Sequence, residues 1–228
     1  MREIVLDTET TGLDPKAGHR IVEIACIELD NHLPTGRSYQ QYINPERDMP
    51  EEAFKVHGLS ADFLAGHPKF ADICGDFLDF IEDSLLVIHN AEFDMRFINA
   101  EISALGHAQL PSGRAVDTLA MARRKYPGAQ SSLDALCKRF GIDNGHRNLH
   151  GALVDADLLA AVYLELIGGR EPGLLLGANE KISAAEMQQM EDARQKRPAR
   201  IHVPSEAELA AHAAMLSRIK ESIWLREG

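Results

Sequence analysis

Asp7 and Glu9 stand one residue apart in the stretch IVLDTETTGLD, residues 4 to 14, directly after the apolar run Ile4-Val5-Leu6. An apolar run bounded by a glycine turn reads as a buried strand of a sheet covered on both faces. Side chains at i and i+2 of a strand point the same way, so the two carboxylates project together from its end. Two anions a few ångströms apart repel, and one of them protonates unless something positive sits between them. The pair is therefore a cation site or an acid/base dyad. A solvated turn formed with Thr8, Thr10 and Thr11 accounts for this short stretch equally well, because Asp-x-Glu spacings are common.

Two further carboxylates fall on the apolar side of helical patterns. In NAEFDMRFINAEI, Asp94 precedes Phe97, Ile98 and Ile102 at helical spacing; in HGALVDADLLAAVYLEL, Asp155 shares a face with Leu159, Val162 and Leu166. A buried carboxylate needs a cation, a hydrogen-bond donor or a proton. Taken singly, each reads as a structural Asp that caps a helix or forms a salt bridge. Taken with Asp7 and Glu9, they make an oxygen-rich set suited to hard divalent ions, Mg²⁺ or Mn²⁺. His150 precedes Asp155 in the loop or first turn entering the same helix, where a neutral imidazole can take a proton from a metal-bound water. Without the four carboxylates it would read as a surface histidine like His146.

These residues need a scaffold. IVEIACIEL (21–29) reads as a second strand and RSYQQYINP (37–45) as a third, closed by Pro45. Phe70, Ile73, Phe77 and Phe80/Ile81 recur at three and four residues, which predicts a helix over 69–83. SLLVIHN is another buried strand, and AEFDMRFINAEISALG a helix ending at Gly106. RAVDTLAMARRKYPG suggests a short strand running into a helix, SSLDALCKRFG a helix capped by Ser and closed by Gly141, and GALVDADLLAAVYLELIGG a long helix with a double-glycine stop. Strands come first and then alternate with helices, so an α/β fold with a mixed sheet is expected over residues 1–169.

After Gly169 the composition changes. Residues 170–204 are polar, with Ser183 and Glu186 at capping-box spacing for a short helix. Residues 205–228 repeat the capping box at Ser205 and Glu208. They place Leu209, Ala213, Leu216, Ile219 and Ile223 on one stripe, followed by Trp224, so an amphipathic helix is expected from about 205 to 224. A stripe ending in a Trp marks a contact surface for a partner.

Composition excludes several roles. The chain has 228 residues, 45% hydrophobic and 26% charged, as in ordinary globular proteins. No apolar stretch approaches about 18 residues and no signal peptide is visible, so no membrane contact and a cytoplasmic location are expected. Cys26, Cys74 and Cys137 are odd in number, lack zinc spacing and sit in apolar surroundings, which predicts buried free thiols. The net charge of -11 argues against a protein that grips duplex nucleic acid by its phosphates; action on nucleic acid would need bound cations or a partner supplying the grip.

The motifs VLDTETTG, VHGL at 56–59, VIHNAEFD, SLDALC and LHGALVDA, in this order and with His-x₄-Asp in the last, resemble the DEDDh family of 3'→5' exonucleases across nearly the whole chain. Within that family they are most similar to the proofreading epsilon subunits of bacterial DNA polymerase III. The resemblance implies a ribonuclease-H-like fold with Asp7, Glu9, Asp94 and Asp155 as metal ligands and His150 as general base. It implies two ions, one held by Asp7, Glu9 and Asp155 and the other chiefly by Asp7 and the phosphate, with Asp94 acting through water. Thr10, Leu13, His57 and Phe93 would line the pocket for the last nucleotides, Leu13 as a wedge and Phe93 as a stacking surface. It further implies removal of mismatched 3'-terminal nucleotides as 5'-monophosphates from a frayed or single-stranded DNA end. The polymerase catalytic (alpha) subunit would be bound through Leu209, Leu216, Ile219, Ile223 and Trp224, with a weak sliding-clamp contact through Leu174 to Leu176. A ribonuclease of the same family trimming RNA 3' ends, and a non-catalytic scaffold for a polymerase, are the alternatives. The long C-terminal extension disfavours the first and the full set of five catalytic residues disfavours the second.

Overall fold

The computed structural model describes residues 1–145, 150–168 and 203–219. The chain divides into two units, Met1–Leu174 and Leu175–Gly228. The first is built on a five-stranded sheet in the order β3-β2-β1-β4-β5. Its strands are β1 (Arg2–Thr10), β2 (Ile21–Asp30), β3 (Leu33–Tyr42), β4 (Leu85–Ile88) and β5 (Ala115–Asp117). The β1–β2 and β2–β3 pairs are antiparallel and the β1–β4 and β4–β5 pairs parallel, which gives the expected mixed sheet.

Side-chain alternation along β1 sorts the core into two layers. Ile4 and Leu6 join α3 (Phe70–Ile81) and α4 (Ala91–Ala104) through Phe77, Phe97 and Ile98. Val5 joins α5 (Thr118–Lys125), α6 (Leu133–Phe140) and α7 (Ala152–Ile167) through Ala122, Leu136, Leu159 and Val162. By the same parity Asp7 and Glu9 face the α7 layer, and Thr8 faces the α4 layer. Arg20 at the start of β2 ties α4 to the sheet with two 2.7 Å bonds from its guanidinium to the buried Glu101 carboxylate. All three cysteines are buried, as expected.

The third strand starts at Leu33 rather than Arg37. Asn31 and His32 both have positive φ, 49° and 68°, and form a two-residue hairpin turn between Asp30 and its partner Leu33. The strand is exposed or half-buried throughout and contains Pro34 and Gly36, features of an edge strand that leave no apolar alternation to read. Two short helices, α1 (Glu51–His57) and α2 (Ala61–Leu64), were not expected; seven and four residues are too few to show a 3.6-residue period. Gly58 closes α1 at φ +73°, a left-handed position suited to glycine.

In the second unit a helix spans Glu206–Leu216, with Ser205 and Glu208 forming the expected reciprocal capping box. The helix ends at Leu216, and residues 220–224 of the stretch read as helical from the sequence lie outside the described residues. The Ser217 hydroxyl bonds back to the Ala214 carbonyl, and Arg218 and Ile219 make only i→i+3 bonds, which tighten and end the helix. Leu209 and Ile219 are exposed and Leu216 is buried. Ile223, Trp224, Leu174 to Leu176 and the Ser183–Glu186 pair lie outside the described residues. Among the described residues no helix is long and apolar enough to cross a membrane.

Candidate active site

The C-terminal ends of β1, β4 and β5 and the start of α7 meet at one edge of the sheet, the usual position for a site in a sheet with parallel strands. Asp7 and Glu9 belong to β1 itself, which runs to Thr10, and are not on a turn after it. Asp155 lies in the first turn of α7, and His150 sits just before that helix. One donor atom each from Glu9, His150 and Asp155 lie within 4.8 Å of one another. His150 Nδ1 is 3.1 Å from Asp155 Oδ2, and the His150 main-chain N–H donates to the Val56 carbonyl at 3.1 Å. The unexpected helix α1 therefore supplies the anchor that sets the His150 loop. Two buried carboxylates and an imidazole this close form a set that fits a divalent cation.

Two cavities flank this cluster. One of about 480 Å³ is lined by Glu9, Thr10, Leu13, His57 and Phe93, so all four expected nucleotide-pocket residues share it with a candidate ligand. Leu13 is 78% exposed at its rim, a position no packing role explains. The Phe93 ring packs on Phe97, 5.0 Å between centroids, and is both a core neighbour and a cavity wall. His57 is buried; its Nδ1 accepts from the Leu59 N–H at 3.0 Å, so a neutral ring carries its proton on Nε2. Burial lowers the His57 pKa, the nearby His150 lowers it further, and the Thr10 carbonyl opposes them. Gly12 is required for close approach: a Cβ there would come within 2.4 Å of the His19 ring, which also lines this cavity.

The second cavity, about 460 Å³, is lined by Asp7, His150 and Asp155 together with His89, Asn90, Arg123, Ser132 and Asp134. None of these last five was a candidate from the sequence. His89 and Asn90 carried a readable signal, since they fall between a buried strand and the helix bearing Asp94. Burial lowers the His89 pKa, and Nδ1 of its ring lies 2.9 Å from the Thr118 hydroxyl. Asn90 takes a left-handed conformation at the start of α4, where its N–H donates to Asp117 Oδ1.

Asp94 is not part of the close cluster. It is buried on the α4 side of β1, where its Oδ1 accepts from the Thr8 hydroxyl at 2.6 Å. Burial pushes its carboxyl up to about 7, against the hydrogen bonds from Thr8 and the main chain. Such a group takes up a cation or a proton near neutral pH.

A mixed five-stranded sheet covered on both faces, with carboxylates from its central strand and from α7 meeting a histidine, is the architecture of the ribonuclease-H-like exonuclease fold. The Exonuclease family (RNase_T) matches residues 4–163. DNA polymerase III subunit epsilon of Rickettsia conorii is 49% identical over 98% of this chain and 99% of its own length. Its namesake in Rickettsia felis is 59% identical over 75% of this chain and 76% of its own. The fold matches the nuclease domain of 3'hExo, a DEDDh family member solved bound to rAMP, with TM-score 0.63 and 19% identity, over 73% of this chain and 91% of that one. The chain belongs to the exonuclease family and, within it, to the DNA polymerase III epsilon group of 3'→5' exonucleases.

Proposed function

We propose that this chain proofreads for a replicative DNA polymerase, removing mismatched 3'-terminal nucleotides as 5'-monophosphates. The observation that carries this reading is the contact between the Glu9–His150–Asp155 cluster and the cavity lined by Thr10, Leu13, His57 and Phe93. Asp7, Glu9 and Asp155 would hold divalent ions, Mg²⁺ or Mn²⁺, with Asp94 assisting. When bound, two such ions polarise the attacking water and offset charge on the departing 3'-oxygen.

His150 accepts the proton of the attacking water. A carboxylate can only accept, so in the neutral ring Nδ1–H donates to Asp155 Oδ2 and the lone pair sits on Nε2. Nε2 is therefore the base. The water oxygen joins the phosphorus, the bond to the 3'-oxygen breaks, and the product leaves as a nucleoside 5'-monophosphate. Phe93 stacks on the terminal base and Leu13 wedges beside it. Mismatch selectivity needs no base reading, because a strand end must unpair to reach the cavity and unpairing costs least at a mismatch.

The net charge of -11 makes free DNA binding poor, so a partner supplies grip. The polymerase catalytic subunit, bound through Leu209, Leu216, Ile219, Ile223 and Trp224, fills that role. The polar residues 170–204 act as a tether that keeps the nuclease at high effective concentration. An apolar run at Leu174 to Leu176, within that polar stretch, adds a weak sliding-clamp contact. The protein works in the cytoplasm, where such a polymerase acts.

Truncation near residue 180 tests this reading. Hydrolysis of short single strands should stay nearly unchanged while co-elution with the polymerase catalytic subunit is lost. A truncated protein that still co-elutes at submicromolar concentration would place the main interface on the catalytic unit. RNA of matched sequence cleaved faster than DNA would favour RNA trimming instead.

A further inference from the structure

The helix that carries Asp155 begins without a cap of its own. Gly151 stands at the N-cap of α7 and has no side chain to accept a bond, so the first amides of the helix need acceptors from elsewhere. Glu23 on β2 supplies one. The Ala152 N–H donates to Glu23 Oε2 at 3.1 Å, and the other carboxylate oxygen, Oε1, accepts from Gln40 Nε2 at 2.8 Å. The side chain is thus fixed from both ends, and Glu23 is only 2% exposed. Burial raises the Glu23 pKa and the Asp155 charge raises it further, while the bonds from Gln40 and from the first amides of α7 oppose them.

Its place in the sheet gives this cap a consequence. Glu23 lies directly opposite Glu9 in the antiparallel β1–β2 pairing, so the two share one rung and one face of the sheet. One rung therefore carries both a candidate metal ligand and the anchor of the helix bearing another. Asp155 follows Ala152 by less than one helical turn, and His150 precedes it by two residues, so movement of Ala152 moves both relative to Glu9. The Val56 carbonyl holds His150 on the other side of Gly151, and Glu23 holds the first residue of α7.

We propose that Glu23 is a positioning residue: it holds α7 in register with β1, so that Asp155 and His150 stay within reach of Glu9. This rests on the reading that Glu9 and Asp155 hold a divalent ion. Glu23 itself touches neither ion nor substrate.

The test is Mn²⁺ binding to the full-length protein, followed by electron paramagnetic resonance of the free ion, alongside steady-state hydrolysis of a short single strand. Glu23→Ala should weaken Mn²⁺ binding and lower kcat by about tenfold each, with KM for the oligonucleotide within about twofold of wild type. Glu23→Gln keeps an oxygen for the Ala152 N–H, and the Gln40 amide can turn to meet its nitrogen, so both quantities should recover to within about threefold of wild type. Glu23→Ala that melts earlier yet binds Mn²⁺ and turns over like wild type would make the contact a structural cap only and overturn the proposal. Glu23→Gln as impaired as Glu23→Ala would assign the effect to charge and overturn it as well. If Glu23→Ala lacks a cooperative melt, Gln40→Ala, which frees the other end of the carboxylate, should weaken Mn²⁺ binding in the same direction, and unchanged binding would overturn the proposal. A wild-type protein that binds no Mn²⁺ would overturn the metal assignment and this proposal together, whereas wild-type binding that Glu23→Ala leaves unmoved overturns this proposal alone.

Discussion

Replacing Asp94 by Asn should stabilise the metal-free protein while abolishing hydrolysis. Burial lifts the Asp94 carboxyl from an ordinary 3.8 to about 7. Below about pH 4 the folded and unfolded chains both carry the proton. From about pH 4 to about pH 7 only the folded chain keeps it, so stability falls by about 1.4 kcal/mol for each unit of rising pH; above about 7 both are ionised and the loss is complete. Roughly three units amount to about 4 kcal/mol at pH 8. Asn cannot ionise and keeps an oxygen for the Thr8 hydroxyl, while losing one acceptor oxygen at a cost of about 1 kcal/mol. The net gain is about 3 kcal/mol at pH 8 and much smaller at pH 5, where the wild type has lost less than half of that stability. Urea unfolding of EDTA-treated wild type and Asp94→Asn at the two pH values measures this difference directly. Added Mn²⁺ should then stabilise the wild type more than the variant. An increment of equal size at pH 5 and pH 8, or a variant less stable than wild type at pH 8, would refute the reasoning.

Asp155→Ala should abolish hydrolysis and leave the far-ultraviolet circular dichroism spectrum unchanged, because the α7 core through Leu159 and Val162 stays intact. His150→Ala should slow single-turnover hydrolysis by on the order of 10²- to 10⁴-fold. Phe93→Ala should weaken binding of a nucleoside 5'-monophosphate by about tenfold or more, as expected for a lost stacking surface, measured by calorimetry.

The candidate site was legible because chemistry leaves carboxylates where packing would place apolar side chains. Asp94 and Asp155 interrupt apolar helical faces, and Asp7 and Glu9 follow the apolar run Ile4-Val5-Leu6 within β1, so period and polarity conflict at those positions. The strands and helices with a buried face were legible for the complementary reason. What escaped lacks a buried face or a repeat: the edge strand from Leu33, and the short helices α1 and α2. The α1 omission mattered, since that helix contributes His57 to the cavity and the Val56 carbonyl to the His150 loop. The position of Asp94 was not legible either. Inward-facing was correct, but which side of β1 it meets depends on strand parity and helix layering, and those emerge only when the chain is folded. Glu23 was hidden inside an apolar strand, where a single carboxylate reads as a solvent-side residue until its partner at Ala152, more than a hundred residues away, is known.

Digestion of a DNA primer bearing one mismatched, labelled 3'-terminal nucleotide tests the central claim most directly. With Mg²⁺ or Mn²⁺ present, the label should appear as a nucleoside 5'-monophosphate and be released faster than from a matched end; EDTA should stop its release. Release of a nucleoside 3'-monophosphate, shortening from the 5' end, or full activity in excess EDTA would contradict the account.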